Sequence, residues 1–301
     1  MKNKSLIFLL TIFVYSVCSF NLFADEFTFN ASEINISENG DIINANNGTA
    51  ISSDKKISID ATRFIYNKKK FILEAFGDTK LSDFKNKVFI NSDNISYNMK
   101  DRIISSTNKS TIKDRIGNTF FVENFIYTLD DDLVKLGKTK ITDIENNNYL
   151  VNKAFINLKS NKLIGKDITI DLNNKSFQKK NEPRLKGNTI ISDGNESIVT
   201  GGVFTTCKKS DSCPPWQLTA KKIKHNREKK LLYYTDAWLK IYDVPVFYFP
   251  KFFHPDPSVK RQSGFLIPSF QSSSNSGNSF NIPYYYVLDS NKDLTINPRF
   301  F

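Results

Sequence analysis

From residue 25 to about residue 172 the apolar positions come in short alternating runs, and no stretch of comparable length shows the three-and-four spacing of an amphipathic helix. In "TRFIYN" (62–67) Thr62, Phe64 and Tyr66 fall on one face and Arg63 and Asn67 on the other, with Ile65 breaking the alternation. Polar clusters interrupt the runs at 67–70, 98–101, 130–132 and 159–161, and again in "SDFKNK", "KDRIGN" and "TDIENNN". Such a pattern predicts short β-strands joined by turns.

The runs repeat. Aligned on a core of the form x-Ile/Phe-x-Tyr-Asn, "ASEINIS", "ATRFIYN", "SDNISYN", "ENFIYTL" and "NKAFINL" place Ile36, Tyr66, Tyr97, Tyr127 and Asn157 at steps of 30, 31, 30 and 30 residues. Asp54, Asp83, Asp114 and Asp143 mark a second landmark at nearly the same step, 29, 31 and 29 residues. A pair of strands cannot bury an apolar face alone and must stack on its neighbours, so the repeat predicts an all-β solenoid or a folded-over sheet of the jelly-roll type. A sixth, divergent unit is legible at 218–243, with His225 in the tyrosine position and "NREK" in the turn.

The composition changes after residue 172. Residues 173–215 carry turn chemistry and the Gly201–Gly202 pair, and no proline occurs before Pro183. Residues 244–270 then hold five of the ten prolines in a segment otherwise rich in strand-forming aromatics. A proline gives no N–H to a ladder and is normally confined to edges, strand starts and bulges. "GFLIPSFQ", "FNIPYYYVL" and "LTINPRFF" read as three further strands, with Tyr284, Tyr285 and Tyr286 suited to an interfacial girdle.

The first residues follow the plan of a secretory signal peptide: Lys2 and Lys4, an apolar run from Leu6 to Val17, and a cleavage position after Ala24. Cys18 is preceded by Val17, a poor fit to a lipoprotein signal. Export changes the meaning of 42 basic against 31 acidic residues, a net +11. Nucleic acid gives way to a phosphate-bearing glycolipid or anionic membrane surface, with a plain solvated surface as the alternative. Cys207 and Cys213 form an even pair in an exported chain, which favours a disulfide. A zinc site drawn with His225 and His254 matches no known finger spacing, so no metal is expected.

Catalytic motifs are missing. "LGKT" at 136–139 resembles the end of a phosphate-binding loop, but Asp132 stands where its first glycine belongs. His225 and His254 read as solvated surface residues. The expectation is a non-enzyme without a cofactor.

From residue 216 onward the sequence resembles the LptD (OstA/Imp) family of lipopolysaccharide-assembly proteins. The likeness rests on Cys207 and Cys213 before "PPWQLTAKKI", on "YYTDAWLKIYDVPVFYFPKFFHPD", on "KRQSGFLIPSF" and on "NIPYYYVLDSNKDLTINPRF". The upstream repeats are similar to the periplasmic OstA-type domain of that family. The resemblance implies a signal peptide (1–24), a periplasmic β-jelly-roll (25–241), and a hinge with the first strands of an outer-membrane β-barrel (242–301). It implies lipopolysaccharide as ligand, a plug lipoprotein of LptE type, and a bridge protein of LptA type docking by strand addition. Phe64, Tyr66, Tyr97, Phe125 and Tyr127 become candidate lining of an apolar groove, and Pro268 and Pro283 the weak seam of a lateral gate. Pro245, Pro250, Pro255 and Pro257 are expected to shape the hinge. One of Cys207 and Cys213 would stand where the family ties this domain to its barrel. A barrel needs at least about eight strands, so the chain reads as the N-terminal part of a longer protein or as a truncated one. The alternatives are a soluble periplasmic lipopolysaccharide-binding bridge and a structural β-solenoid.

Overall fold

The computed structural model describes residues 27–54, 56–172, 182–210, 214–256, 259, 261–266, 268–273 and 277–301. The signal peptide with Cys18 and Ala24, together with Cys213 and Pro257, lies outside the described residues. The protein is all-β, with no α-helix among the described residues. It divides at Ile104/Ser105 into two compact units.

The first unit is an antiparallel meander of β1 (Phe27–Ser37), β2 (Ile42–Ser52), β3 (Ile57–Asn67), β4 (Ile72–Asp83) and β5 (Val88–Asn98), each paired with the next. A short β6 (Ile103–Ser106) follows. In the second unit the strands are first four residues long: β7 (Ser110–Lys113), β8 (Thr119–Val122), β9 (Phe125–Thr128), β10 (Leu133–Leu136) and β11 (Thr139–Thr142). The meander then resumes with β12 (Asn148–Asn157), β13 (Lys162–Asp171), β14 (Arg184–Ser192), β15 (Glu196–Thr205), β16 (Trp216–Asn226), β17 (Leu231–Ile241) and β18 (Val244–Pro255), each paired antiparallel with the next. The compositional change at 173–215 therefore does not interrupt the sheet.

Most long strands break their alternation once. In β3 the buried positions are Ile57, Ile59 and Ala61, then Phe64 and Tyr66, while Thr62 and Arg63 both face solvent. The same outward pair recurs at Asn152–Lys153, Thr200–Gly201, Lys221–Lys222 and Thr235–Asp236. An extra outward residue shifts the parity of the strand, so the segments before and after it bury opposite faces of the ribbon. Both segments can then face one interior only if the strand turns a corner there. The packing agrees, since Phe29, registered beside Ala50, reaches across to Phe64 and Tyr66 with ring centroids 5.8 and 6.1 Å away. In β2, β4, β13, β15 and β17 the corner holds a residue with positive φ: Asn47, Asp78, Asp167, Gly201 and Asp236. Asn, Asp and Gly tolerate that conformation best.

The corner explains two features of the sequence. Thr62 does not share the buried face with Phe64 and Tyr66 as the simple alternation predicts, and Ile65 breaks the pattern because the parity has already changed. In β8 to β11 the corner opens into a two-residue gap, and the "LGKT" motif belongs to it. Gly137 donates its N–H to Asn124 O at 3.1 Å, and a Cβ there would meet the Asn124 side chain at 2.7 Å.

The two repeat landmarks are turn caps at opposite ends of the strands. At one end the side-chain oxygens of Asn67, Asn98, Asn157 and Asn226 each accept the backbone N–H three residues on, at 2.8–3.1 Å. At the other, Asp114 Oδ1 accepts the N–H groups of Ile116, Gly117 and Asn118, and Oδ2 accepts the Asn118 amide. Asp54, Asp83 and Asp143 accept backbone N–H groups in the same manner. The alignment needs two corrections. Ile36 is 64% exposed near the end of β1, so the first repeat has no buried counterpart of Tyr66. In the fifth repeat the buried residue is Ile156 and Asn157 is the cap, one position out of step with Tyr66 and Asn67.

A carboxylate accepting several backbone donors is worth about 1–2 kcal/mol in such a cap. Asp114→Ala is expected to lower the thermal midpoint by a few °C, while Asp131→Ala in an exposed turn stays within about 0.5 kcal/mol of the parent; thermal denaturation of both variants checks this.

Candidate functional site

The groove candidates all point inward. Phe64, Tyr66, Tyr97, Phe125 and Tyr127 are buried, each on a strand segment that follows a corner or gap. In the first unit Tyr66 and Tyr97 flank Leu73 at one height, and Phe64 lies one step along beside Ala75. Phe27 packs edge-on against Tyr97 at 5.7 Å and Phe29 touches both Phe64 and Tyr66, so this end of the interior is lined with rings. In the second unit Phe125 and Tyr127 sit beside Leu136 and Val134. Phe27 and Phe29 lie in the weakest repeat, which is why the repeat did not single them out.

A second run of rings lies at the other end of the second unit. Trp216, Phe204, His254, Tyr234, Phe252 and Phe249 follow one another with centroid distances between 5.0 and 6.2 Å. Phe204 registers beside Leu218 on one side of the corner, and Tyr234 beside Ile223 on the other. Their contact therefore crosses the interior.

Both histidines belong to this end, and neither is the solvated surface residue that the sequence suggests. His225 holds the inward position before its capping Asn226, as Tyr66 does before Asn67, and its Nε2 lies 2.6 Å from Asp256 Oδ2 with both side chains largely buried. His254 stacks on Tyr234, its Nδ1 faces Pro255 O at 2.6 Å and its Nε2 faces Tyr234 Oη at 2.7 Å. A neutral imidazole donating from Nδ1 and accepting from the phenol at Nε2 satisfies both partners. Burial pulls the His254 pKa below its usual value, against the opposing pull of the Pro255 carbonyl and Asp256. Burial also pushes the Tyr234 phenol up. Elsewhere in this unit Tyr149 donates to Asp143 at 2.8 Å and receives Arg227 at 3.3 Å; burial and the Asp143 carboxylate raise its phenol pKa. No group of His, Cys, Asp and Glu with metal-binding geometry occurs among the described residues.

Pro245, Pro250 and Pro255 all lie within β18, whose ladder runs to β17 with a register shift at Leu239/Lys240. Beyond it come β19 (Gly264–Phe265), β20 (Ser269–Ser273), β21 (Gly277–Asn281), β22 (Tyr284–Asp289), β23 (Lys292–Ile296) and β24 (Arg299–Phe300). These are three extended segments, each cut once by a proline. On one side of the cut β19, β22 and β23 form a sheet; on the other β20, β21 and β24 form another. Pro268, Pro283 and Pro298 occupy the cut, where Leu266 N donates to Pro283 O at 2.8 Å and Ile282 N to Pro298 O at 3.3 Å. Pro298 completes the row, and its signal in the sequence is the repeated 15-residue step from 268 to 283 to 298. Cys207 is half-buried with Sγ 3.6 Å from Trp216 O; Cys213, its expected partner, lies outside the described residues.

No family model matches the chain. Among curated proteins, LPS-assembly protein LptD of Yersinia pestis bv. Antiqua (strain Antiqua) is 38% identical over 104 residues, covering 35% of this chain and 13% of that protein. LPS-assembly protein LptD of Shewanella sp. (strain MR-4) is 40% identical over 110 residues, covering 36% of this chain and 14% of that protein. LPS-assembly protein LptD of Shewanella oneidensis is 39% identical over 110 residues. The chain thus spans about 13–14% of the length of the curated relatives it matches. They carry the family name to which the motifs from residue 216 onward point.

Burial in the folded state makes His254 harder to protonate, whereas the unfolded chain takes up a proton near the ordinary value of 6.5. The unfolded state then binds more protons in that range, so the His254 contribution to stability falls as the pH drops through it. His254→Gln is expected to flatten this part of the profile, as checked by denaturant unfolding between about pH 7.5 and 5.5; an unchanged slope would show that His254 is not the group responsible.

Proposed function

We propose that this chain takes part in lipopolysaccharide transport and assembly at the outer membrane of a Gram-negative bacterium, with residues 25–241 in the periplasm and residues 242–301 forming the hinge and the first strands of a membrane barrel. The likeness to LPS-assembly proteins supports the pathway, and the inward aromatic rows support the role of the folded sheet. Exposing acyl chains to water is unfavourable by about 0.8 kcal/mol per CH₂. A twelve-carbon chain would thus need shielding on the order of 10 kcal/mol. A sheet folded at its corners, with Phe64, Tyr66, Tyr97, Phe125 and Tyr127 turned inward, offers such shielding without any enzymatic step or cofactor.

The transfer has a direction in this reading. A bridge protein of LptA type adds its edge to β1 to deliver the lipid, the inward rows of each unit shield its acyl chains, and the proline-cut strands release it. The lateral gate is Pro268 and Pro283. Each lacks a ladder donor, and a backbone hydrogen bond is worth about 0.5–1.5 kcal/mol in water and more in lipid, where no water replaces it. The change of sheet at these prolines supports a seam with little to hold it. A plug lipoprotein of LptE type fills the completed barrel, and a disulfide through Cys207 or Cys213 fixes the domain to it.

Photocrosslinking amino acids at Phe64 and Phe125 are expected to capture lipopolysaccharide in cells, and failure at every inward position would remove the groove. Pro268→Ala combined with Pro283→Ala is expected to slow the appearance of lipopolysaccharide at the cell surface, with Pro298→Ala adding to the delay. Unchanged delivery would remove the gate and leave the groove standing.

A further inference from the structure

The outward face of β12 to β18 carries two parallel rows that the folded sheet does not need for its interior. In one, Phe155 registers with Ile164, Ile164 with Ile191, and Ile191 with Ile198; after Lys224 the row continues to Tyr233 and Phe253. Phe155, Ile164 and Ile191 are 43, 44 and 42% exposed and Phe253 is 60% exposed. The next row reads Lys153, Lys166, Thr189, Thr200, Lys222, Thr235 and Lys251. At about 4.8 Å between strands, each row runs roughly 30 Å.

The corresponding register positions of the first unit are different. There the row equivalent to the apolar one is Asn44, Ile65, Glu74 and Ser96. A folded sheet of this type therefore forms with a polar outer row, and the apolar stripe of the second unit serves something outside the chain. A contiguous exposed stripe of this kind marks an interaction surface.

The lysines decide what that something is. Lys153 and Lys166 stand directly opposite each other across β12 and β13, an arrangement of like charges that destabilises a sheet. Among the described residues Lys153, Lys166, Lys222 and Lys251 form no ion pair with a carboxylate, whereas Lys224 is held by Glu196 at 2.7 Å. The paired threonines between them hydrogen-bond each other, Thr189 Oγ1 to Thr200 Oγ1 at 2.5 Å. A straight row of cations beside a straight row of apolar side chains fits a surface whose negative charges lie in a plane above hydrocarbon.

We infer that the outward face of β12 to β18 docks on an anionic lipid surface, with Phe155, Ile164, Ile191 and Ile198 entering the headgroup boundary and Lys153, Lys166, Lys222 and Lys251 meeting its phosphates. This is separate from the interior proposed to carry lipopolysaccharide and stands on the outer rows alone.

The test places an environment-sensitive fluorescent amino acid at position 164, 191 or, for reference, 65 of the full chain, and adds phosphatidylglycerol or phosphatidylcholine vesicles. Emission from 164 and 191 should shift to the blue with the anionic vesicles only, position 65 should stay unchanged, and Lys153→Gln with Lys166→Gln and Lys222→Gln should weaken the response at least about tenfold. The tyrosine-rich strands after residue 263 could hold the chain on a vesicle by themselves, so the reporters decide and not bulk binding. Unshifted reporters at 164 and 191 on vesicle-bound protein would overturn the inference. So would an equal response to neutral vesicles, an equal shift at position 65, or a shift that only a protein partner produces.

Discussion

A strand that buries one face and then turns a corner must bury the other face afterwards, and everything in this sheet follows from that constraint. The parity change takes one extra residue, and the chain supplies it as an outward pair such as Thr62–Arg63 or Thr235–Asp236. Without that pair, Phe64 and Tyr66 would point to solvent while Ile59 stayed inside. With it, both segments of β3 look into the same interior. The ladder tolerates the extra residue because neighbouring strands bulge at the same height, with Asn47, Asp78, Asp167, Gly201 and Asp236 in the left-handed conformation. Gly201 shows how close the fit is, since a Cβ there would meet Asn188 Nδ2 at 2.6 Å.

Within each unit the corners give the interior two walls, and the caps keep the walls in register. Asn caps at one end and Asp caps at the other satisfy turn N–H groups that would otherwise compete with the ladders, and they recur at the period of the strand pairs. Aromatic rings from the two walls then meet, as Phe29 meets Phe64 and Phe204 meets Tyr234. Polar chemistry within the walls is satisfied in pairs such as His254–Tyr234, while Thr79 Oγ1 and Asp171 Oδ1 are buried without a hydrogen-bond partner. Beyond β18 this logic stops. Pro268, Pro283 and Pro298 break the strands in step, and the ladder there changes from one three-stranded sheet to another.

Much of this was legible in the residues. The strand content, the 30-residue step and the turn positions were visible because alternation and turn chemistry are local. Phe64, Tyr66, Tyr97, Phe125 and Tyr127 were recognisable as one class because the repeat lined them up, and all five are buried. The corner was not legible, because an outward pair such as Asn152–Lys153 looks like ordinary polar variation until the register is known. Nor were the histidines: His225 and His254 find Asp256 and Tyr234 only after β16, β17 and β18 have paired. The outer stripe of Phe155, Ile164, Ile191 and Ile198 was hidden for the same reason, since these residues are neighbours only across strands. Pro298 lay in plain view, at the step already set by Pro268 and Pro283.

The central claim is that the two walls enclose an interior to which fatty chains have access, and paramagnetic broadening of isoleucine methyl signals by lipid A with a nitroxide on an acyl chain tests it most directly. The account predicts broadening at the inward Ile59 and Ile95, with the outward Ile51 and Ile65 left sharp. Broadening at Ile51 and Ile65 with Ile59 and Ile95 unaffected, or no broadening at any of the four, would contradict it.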